Sequence, residues 1–374
     1  MKFKILFIAL FIIVSCKEKK KESTVEVVEP IIQKFYLGTY TDGDSKGIYR
    51  YALHEDGSLE QIGLASVANN PSFLAKSSDD NYILAVSELD VKGIGFIESF
   101  AIKGDSLQSL GKSATGGAHP CHVAINEDGY ALASNYTGGN VGLFKLDEKG
   151  KLSEVLFIEE HAGQGTTDSQ VVSHAHSATF YDGDAKVLVA DLGTNEIWFS
   201  SLDTNQNSLV PANPQKLKMA DGAGPRHTVF HPNKEWLYIV NELNTTVTRA
   251  ALNEHGGFDK KESISTLPAD FEGESFCADI HISGDGKFLY ASNRGHNSLA
   301  IFGVDEATGV LTLIGTESVK GDWPRNFALS PNDDYVLVAN QKSNNIVSFK
   351  RDSETGLLVF VAEIEAPAPV CILF

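Results

Sequence analysis

The feature that most limits what this chain can fold into is a unit of about fifty residues, repeated along most of its length. Each unit reads as an alternating strand, a turn rich in Asp, Gly and Asn, a second strand ending near Asn, and a third strand. Five copies are plain: His122-VAINEDGYALASN, Ser177-ATFYDGDAKVLVAD, His227-TVFHPNKEWLYIVN, Asp279-IHISGDGKFLYASN and Asn326-FALSPNDDYVLVAN. A sixth, Ser72-FLAKSSDDNYILAVSE, has a different turn, and KFYLGTYTDG around Thr39 holds only the second half of a unit. Aligned on the end of the second strand, Thr39, Ser87, Asn135, Asp191, Asn241, Asn293 and Asn340 lie 48, 48, 56, 50, 52 and 47 residues apart. A period near fifty with about four short strands marks propeller blades rather than a helical solenoid. The chain is therefore expected to be all-β, a seven-bladed β-propeller over residues 34–374. The first unit lacks its first strand, while the chain ends in PAPVCILF, which resembles the strand starts PCHVAI and PRNFAL. The C-terminal strand is thus expected to complete the first blade and close the ring.

Ahead of the repeats, Lys2 and Lys4 precede an apolar run from Ile5 to Val14, followed by Ser15 and Cys16. Ten apolar residues span only about 15 Å as a helix, too little for a permanent membrane span. The order fits an export signal over residues 1–16, with Ile13-Val14-Ser15-Cys16 as a lipobox and Cys16 as the lipidated residue. Residues 17–33 read as a flexible tether, charged and poor in apolar surface. The expected location is the bacterial cell envelope, outside the cytoplasm, with the lipid as the sole membrane contact. A formal net charge of −18 argues against nucleic acid as a partner, since phosphates need a basic footprint. Cys121, Cys277 and Cys371 are scattered and odd in number, and are expected to be buried thiols.

Blade geometry places residues without any motif. The innermost strand starts at the face of the disc where the second strand ends, so both positions ring one mouth of the channel. His122, His176, Arg226, His227 and Arg325 stand at the first position; Tyr40, Glu88, Tyr136, Glu242, Arg294 and Gln341 stand at the second. Arginines, histidines and glutamates converging on one funnel of an acidic protein make a candidate site. An ionic ring of Arg226 and Arg294 with Glu242 and Glu88, fixing blade register only, is the structural alternative. Ser173-His174-Ala175-His176 puts two imidazoles on one side of a strand, but no third metal ligand is placed by sequence, and no motif implies a cofactor. His54, His161 and His255 are expected in exposed outer turns, and Trp198, Trp236 and Trp323 between blades.

The segments PCHV, GPRH, VNEL and SNRGHNS, in that order, resemble the lactonase family of seven-bladed propellers. Its members include bacterial 6-phosphogluconolactonases, with a fungal carboxymuconate-cyclising enzyme as a relative. The resemblance runs from about Phe35 to Phe374. It implies catalytic roles for His122, Arg226, Glu242 and Arg294, the positions matching a histidine, two arginines and a glutamate implicated in the cyclising relative. The expected activity is hydrolysis of a sugar-type lactone. His122 or Glu242 would deprotonate water and Arg226 or Arg294 would stabilise the oxyanion. His176, His227, Glu88, Arg325 and Tyr136 are expected to bind the substrate, a small and anionic lactone. A lactonising or isomerising enzyme acting on an unsaturated acid is a second reading, and a non-catalytic binding propeller a third.

Overall fold

The computed structural model describes residues 32–374. The signal segment 1–16, with Cys16, and the tether as far as residue 31 lie outside the described residues. Those described form seven four-stranded antiparallel sheets, each one blade. Blade 1 joins Gln33–Thr39, Gly47–Leu53 and Leu59–Val67 to Pro369–Leu373, which pairs with Gln33–Thr39 as the innermost strand. The expected closure is therefore observed. A single 3₁₀ turn, Asp168–Gln170, is the one helical element among the described residues.

Alternation along each strand decides where the core goes. Successive side chains point to opposite faces of a blade, and each face packs on a neighbouring blade, so apolar residues are needed on both. In the second strands the demand is strongest: Tyr130–Asn135, Trp236–Asn241 and Tyr335–Asn340 are buried throughout. The core accordingly divides into seven clusters, each bridging two adjacent blades. Leu84, Val86 and Ile97 of blade 2 meet Val123, Ala133 and Phe144 of blade 3. Phe35, Leu37 and Tyr51 of blade 1 meet Tyr335, Leu337 and Ile346 of blade 7, and Ile372 of the closing strand lies in that cluster. Removing one strand thus opens an interface rather than a loop.

Trp198 and Trp236 pack between blades as expected. Trp323 does not: it sits in a turn at the channel mouth with φ of +65°, close to Arg294 and Lys342. His161 corrects a second expectation. It is buried between blades 3 and 4, stacked 4.0 Å from Trp198, with Nδ1 donating to Asp191 at 2.7 Å. Glu159 and Asp191 raise its pKa against the effect of burial. Its loop folds inward because a carboxylate and an indole face are waiting for it. His255 is exposed and His54 is half-buried beside Glu60. The three thiols are buried and unbridged.

Candidate active site at the channel mouth

One backbone irregularity builds the site. In six of the seven innermost strands the register with the second strand slips at the same repeat position. The slip falls between Pro120 and His122, Ala175 and Ser177, Pro225 and His227, Cys277 and Ile280, Pro324 and Asn326, and opposite Gly38 and Thr39 in blade 1. A bulge leaves one residue unpaired and re-aims its side chain. The residues so displaced include Cys121, His176, Arg226 and Arg325. Next to them Phe73, His122, Ser177, His227, Asp279, Asn326 and Cys371 occupy one repeat position around the channel. Gly224 serves the same construction. Its φ of +67° lets the chain turn into Pro225, and its carbonyl accepts the Glu242 amide at 2.7 Å. A Cβ there would lie 2.6 Å from Leu243, so the backbone carrying Arg226 and Glu242 requires glycine.

The mouth holds two carboxylate–arginine sets. In the first, Glu242 Oε2 accepts from Arg226 Nε at 3.1 Å and pairs with Arg294 Nη2 at 3.0 Å. Arg226 Nη1 also donates to the Ala278 carbonyl at 2.6 Å and to His227 Nε2 at 3.2 Å. Arg294 Nη2 donates to the Cys277 carbonyl at 2.8 Å. In the second set Glu88 accepts from the Tyr40 hydroxyl at 2.8 Å, while Arg325 approaches its other oxygen only to 4.0 Å. The ionic alternative is thus partly realised: Arg226 and Arg294 share Glu242, and Arg294 is not paired with Glu88. A narrow crevice opens beside them, with Glu88, Arg226, His227 and Arg325 in its wall.

Imidazoles pave the floor. His122 lies 4.2 Å from the Phe73 ring and 5.5 Å from His227, which is 5.4 Å from His176. Burial, then the neighbouring His227, pushes the His122 pKa well below the usual range; burial and Arg226 do the same to His176. His227 falls to about 4, through burial and the Arg226 charge. All three are therefore neutral at neutral pH. The tautomer of His227 follows from its partners. Nδ1–H donates to Asp279 at 2.8 Å, leaving the Nε2 lone pair to accept from Arg226. His122 Nδ1 is buried without a partner.

Burial and the other two arginines lower the Arg226 pKa to about 10. Burial would raise Glu242, but Arg294, Arg226 and Arg325 outweigh it and hold the carboxyl below its ordinary value. Tyr136 stacks on His174 at 4.5 Å and meets His176 edge-on at 5.5 Å. Burial, then Glu242, lifts its hydroxyl to about 12. Cys121 donates to the His176 carbonyl at 3.2 Å, and burial pushes its thiol up, leaving it no nucleophile. Among the described residues no three His, Cys, Asp or Glu side chains converge as a metal-ligand set.

Three residues of this site escaped sequence reasoning. Asp279 is fully enclosed and accepts from His227, from His281 at 3.0 Å and from Asn326 at 2.5 Å. The available signal was its repeat position, shared with His122, His227 and Asn326. Phe73 shares that position in blade 2. Trp323 carried no signal, because an indole in a turn before Pro324 reads as packing.

The whole described propeller, residues 34–374, matches the family model of the seven-bladed β-propeller lactonases. The chain belongs to that family. The Bacillus subtilis 6-phosphogluconolactonase is 33% identical, with 91% of this chain and 97% of the relative aligned. The Formosa agariphila 6-phosphogluconolactonase is 37% identical over 86% and 94%. Among solved structures, the periplasmic gluconolactonase of Pseudomonas aeruginosa superimposes with a TM-score of 0.86 at 30% identity, covering 91% of this chain and 98% of that one. Family membership makes the chain an enzyme of the lactonase class.

Proposed function

We propose that the protein opens a sugar-type lactone by general-base hydrolysis at the channel mouth. The observation that carries this is the neighbourhood of neutral imidazoles and fixed guanidinium groups in a family of lactonases. Ester hydrolysis needs a base for water and a donor for the charge that grows on the carbonyl oxygen. His122 is the better base of the two candidates, being a neutral imidazole that is only partly buried at the mouth. Glu242 is held ionised by two arginines and is a weak base; its role is to hold Arg226 and Arg294 side by side. Three tethers on Arg226 fix its guanidinium before substrate arrives, so little reorganisation is required as charge develops.

The reaction is balanced without a cofactor. Water oxygen bonds to the lactone carbonyl carbon, its proton passes to the imidazole, and the ring C–O bond breaks. That proton returns to the departing alkoxide, leaving a hydroxy acid that ionises. His176 and Tyr136, edge-on to each other at 5.5 Å beside these groups, are assigned to contact with the sugar ring. The lipobox reading belongs to the same proposal: a protein held by Cys16 in the envelope would meet lactones outside the cytoplasm. Metabolic labelling with a fatty acid tests it, with label expected on the full chain and absent from Cys16→Ser. The activity is tested by titrating acid release from glucono-1,5-lactone and related lactones with the soluble form lacking residues 1–29. Release above the spontaneous rate, lost in Arg226→Ala, is the expected result; none from a folded protein would refute the proposal.

A further inference from the structure

The two charged sets at the mouth are not equivalent. Glu242 holds two arginines, Arg226 and Arg294, both on Oε2 at 3.1 and 3.0 Å. Glu88 is half-used: one oxygen accepts from Tyr40, and the other has only Arg325 at 4.0 Å, beyond hydrogen-bond distance. Arg325 makes no hydrogen bond to any described residue, although its side chain is only 19% exposed. Its other near neighbour is the Tyr40 ring, 5.4 Å from Cζ. Tyr40, Glu88 and Glu242 nevertheless hold it more firmly charged than an ordinary arginine, against the effect of burial. The guanidinium is thus held at the mouth with donors that no protein group fills, open to a ligand acceptor.

Charge counting then limits the ligand. Three arginines face two glutamates across the mouth, the three imidazoles between them are neutral, and Asp279 is paired off with His281. One positive charge is left over. A neutral lactone that gains one negative charge in its transition state, and keeps it as the product carboxylate, matches that surplus. A substrate arriving with a phosphate dianion exceeds it and meets Glu88 and Glu242.

Resting on the lactonase reading above, we infer that the site is built for uncharged polyhydroxy lactones, with Glu88 as the residue that sets this specificity. Its free oxygen accepts from a sugar hydroxyl while its charge keeps phosphate from Arg325. This replaces the anionic substrate expected from the composition of the funnel.

The test compares kcat/KM for glucono-1,5-lactone and its 6-phosphate in the wild type, Glu88→Gln and Tyr40→Phe, each checked for an unchanged melting transition. The wild type is expected to favour the uncharged lactone at least tenfold. Glu88→Gln is expected to shift that ratio towards the phosphate ester by about tenfold, because removing the charge unmasks Arg325. Tyr40→Phe leaves the carboxylate in place and should keep the wild-type ratio. A wild type that favours the phosphate ester, or a ratio unmoved in Glu88→Gln, would overturn the inference while the lactonase reading stands. Acid release from neither compound would remove both.

Discussion

The two ends of the innermost strands are made from the same repeat and have opposite characters. At the far end the turns are nearly copies of one another. Ser77 binds Asp79 and receives the Tyr82 amide; Ser283 does the same with Asp285 and Phe288, and Ser330 with Asn332 and Tyr335. At the mouth the blades differ: the bulged position holds cysteine, histidine, alanine or valine in one blade each and arginine in two. The far end also has the roomier groove, between blades 4 and 5, walled by Tyr181, Phe230 and Phe258. The charges that line it, Glu127, Asp182, Asp184, Lys186 and Lys234, are surface ones, none of them buried; Lys186, for one, is paired with Asp182 at 2.8 Å. Solvated surface charges around an open groove offer less to a reacting substrate than the buried groups that meet at the mouth. What is repeated holds the blades together, and what breaks the repeat brings arginines, glutamates and imidazoles to one mouth.

That contrast can be broken in several ways. The largest effect is expected from deleting residues 370–374. Val370, Cys371 and Ile372 are buried, and their loss, at about 1.5–3 kcal/mol for each large apolar side chain, removes on the order of 5 kcal/mol. Denaturant unfolding should show it, and an unchanged midpoint would mean that closure matters little. Next, Asp279→Ala leaves His227 and His281 without their shared carboxylate and is expected to cost roughly 3 kcal/mol, read as a fall in melting temperature. Arg226→Ala should reduce turnover on the order of 10²-fold with a smaller effect on melting.

Acidity sharpens the comparison further. His122, His176 and His227 have folded pKa values below their unfolded ones. As pH falls below about 6.5 the unfolded chain takes up protons first, so these groups reduce stability from there towards pH 4. His161 and His281, raised by their carboxylates, act in the opposite sense, adding stability below pH 6.5 that is lost as pH rises through their folded values. The proposed base, His122, stays neutral, so kcat/KM should stay flat as pH falls through about 6.5, and a break at that pH would exclude it from that role. The smallest effect is at the far end: Ser283→Ala should cost about 1 kcal/mol and leave kcat/KM unchanged.

The same division explains what could be read from sequence. Blade number, ring closure and the location of the mouth depend on periodicity, which is local and repeated. His122, Arg226, Glu242 and Arg294 could be placed at the mouth because each occupies a repeat position whose end of the disc is known. Their pairing could not: that Glu242 takes both Arg226 and Arg294 while Glu88 is left with Tyr40 depends on side-chain reach across the channel. Asp279 was hidden by its neighbour Ala278, which makes blade 6 look uncharged at the bulge. His161 was misplaced because an outer loop that folds back onto Trp198 leaves no periodic trace.

The most direct test of the account is a crystal structure of the propeller soaked with an aldonate, the acid that lactone opening would produce. Its carboxylate is expected between Arg325 and Arg226, above His122, with a sugar hydroxyl on Glu88. An aldonate bound in the groove beside Tyr181 and Phe258, with the mouth left empty, would contradict the assignment of the chemistry to the channel.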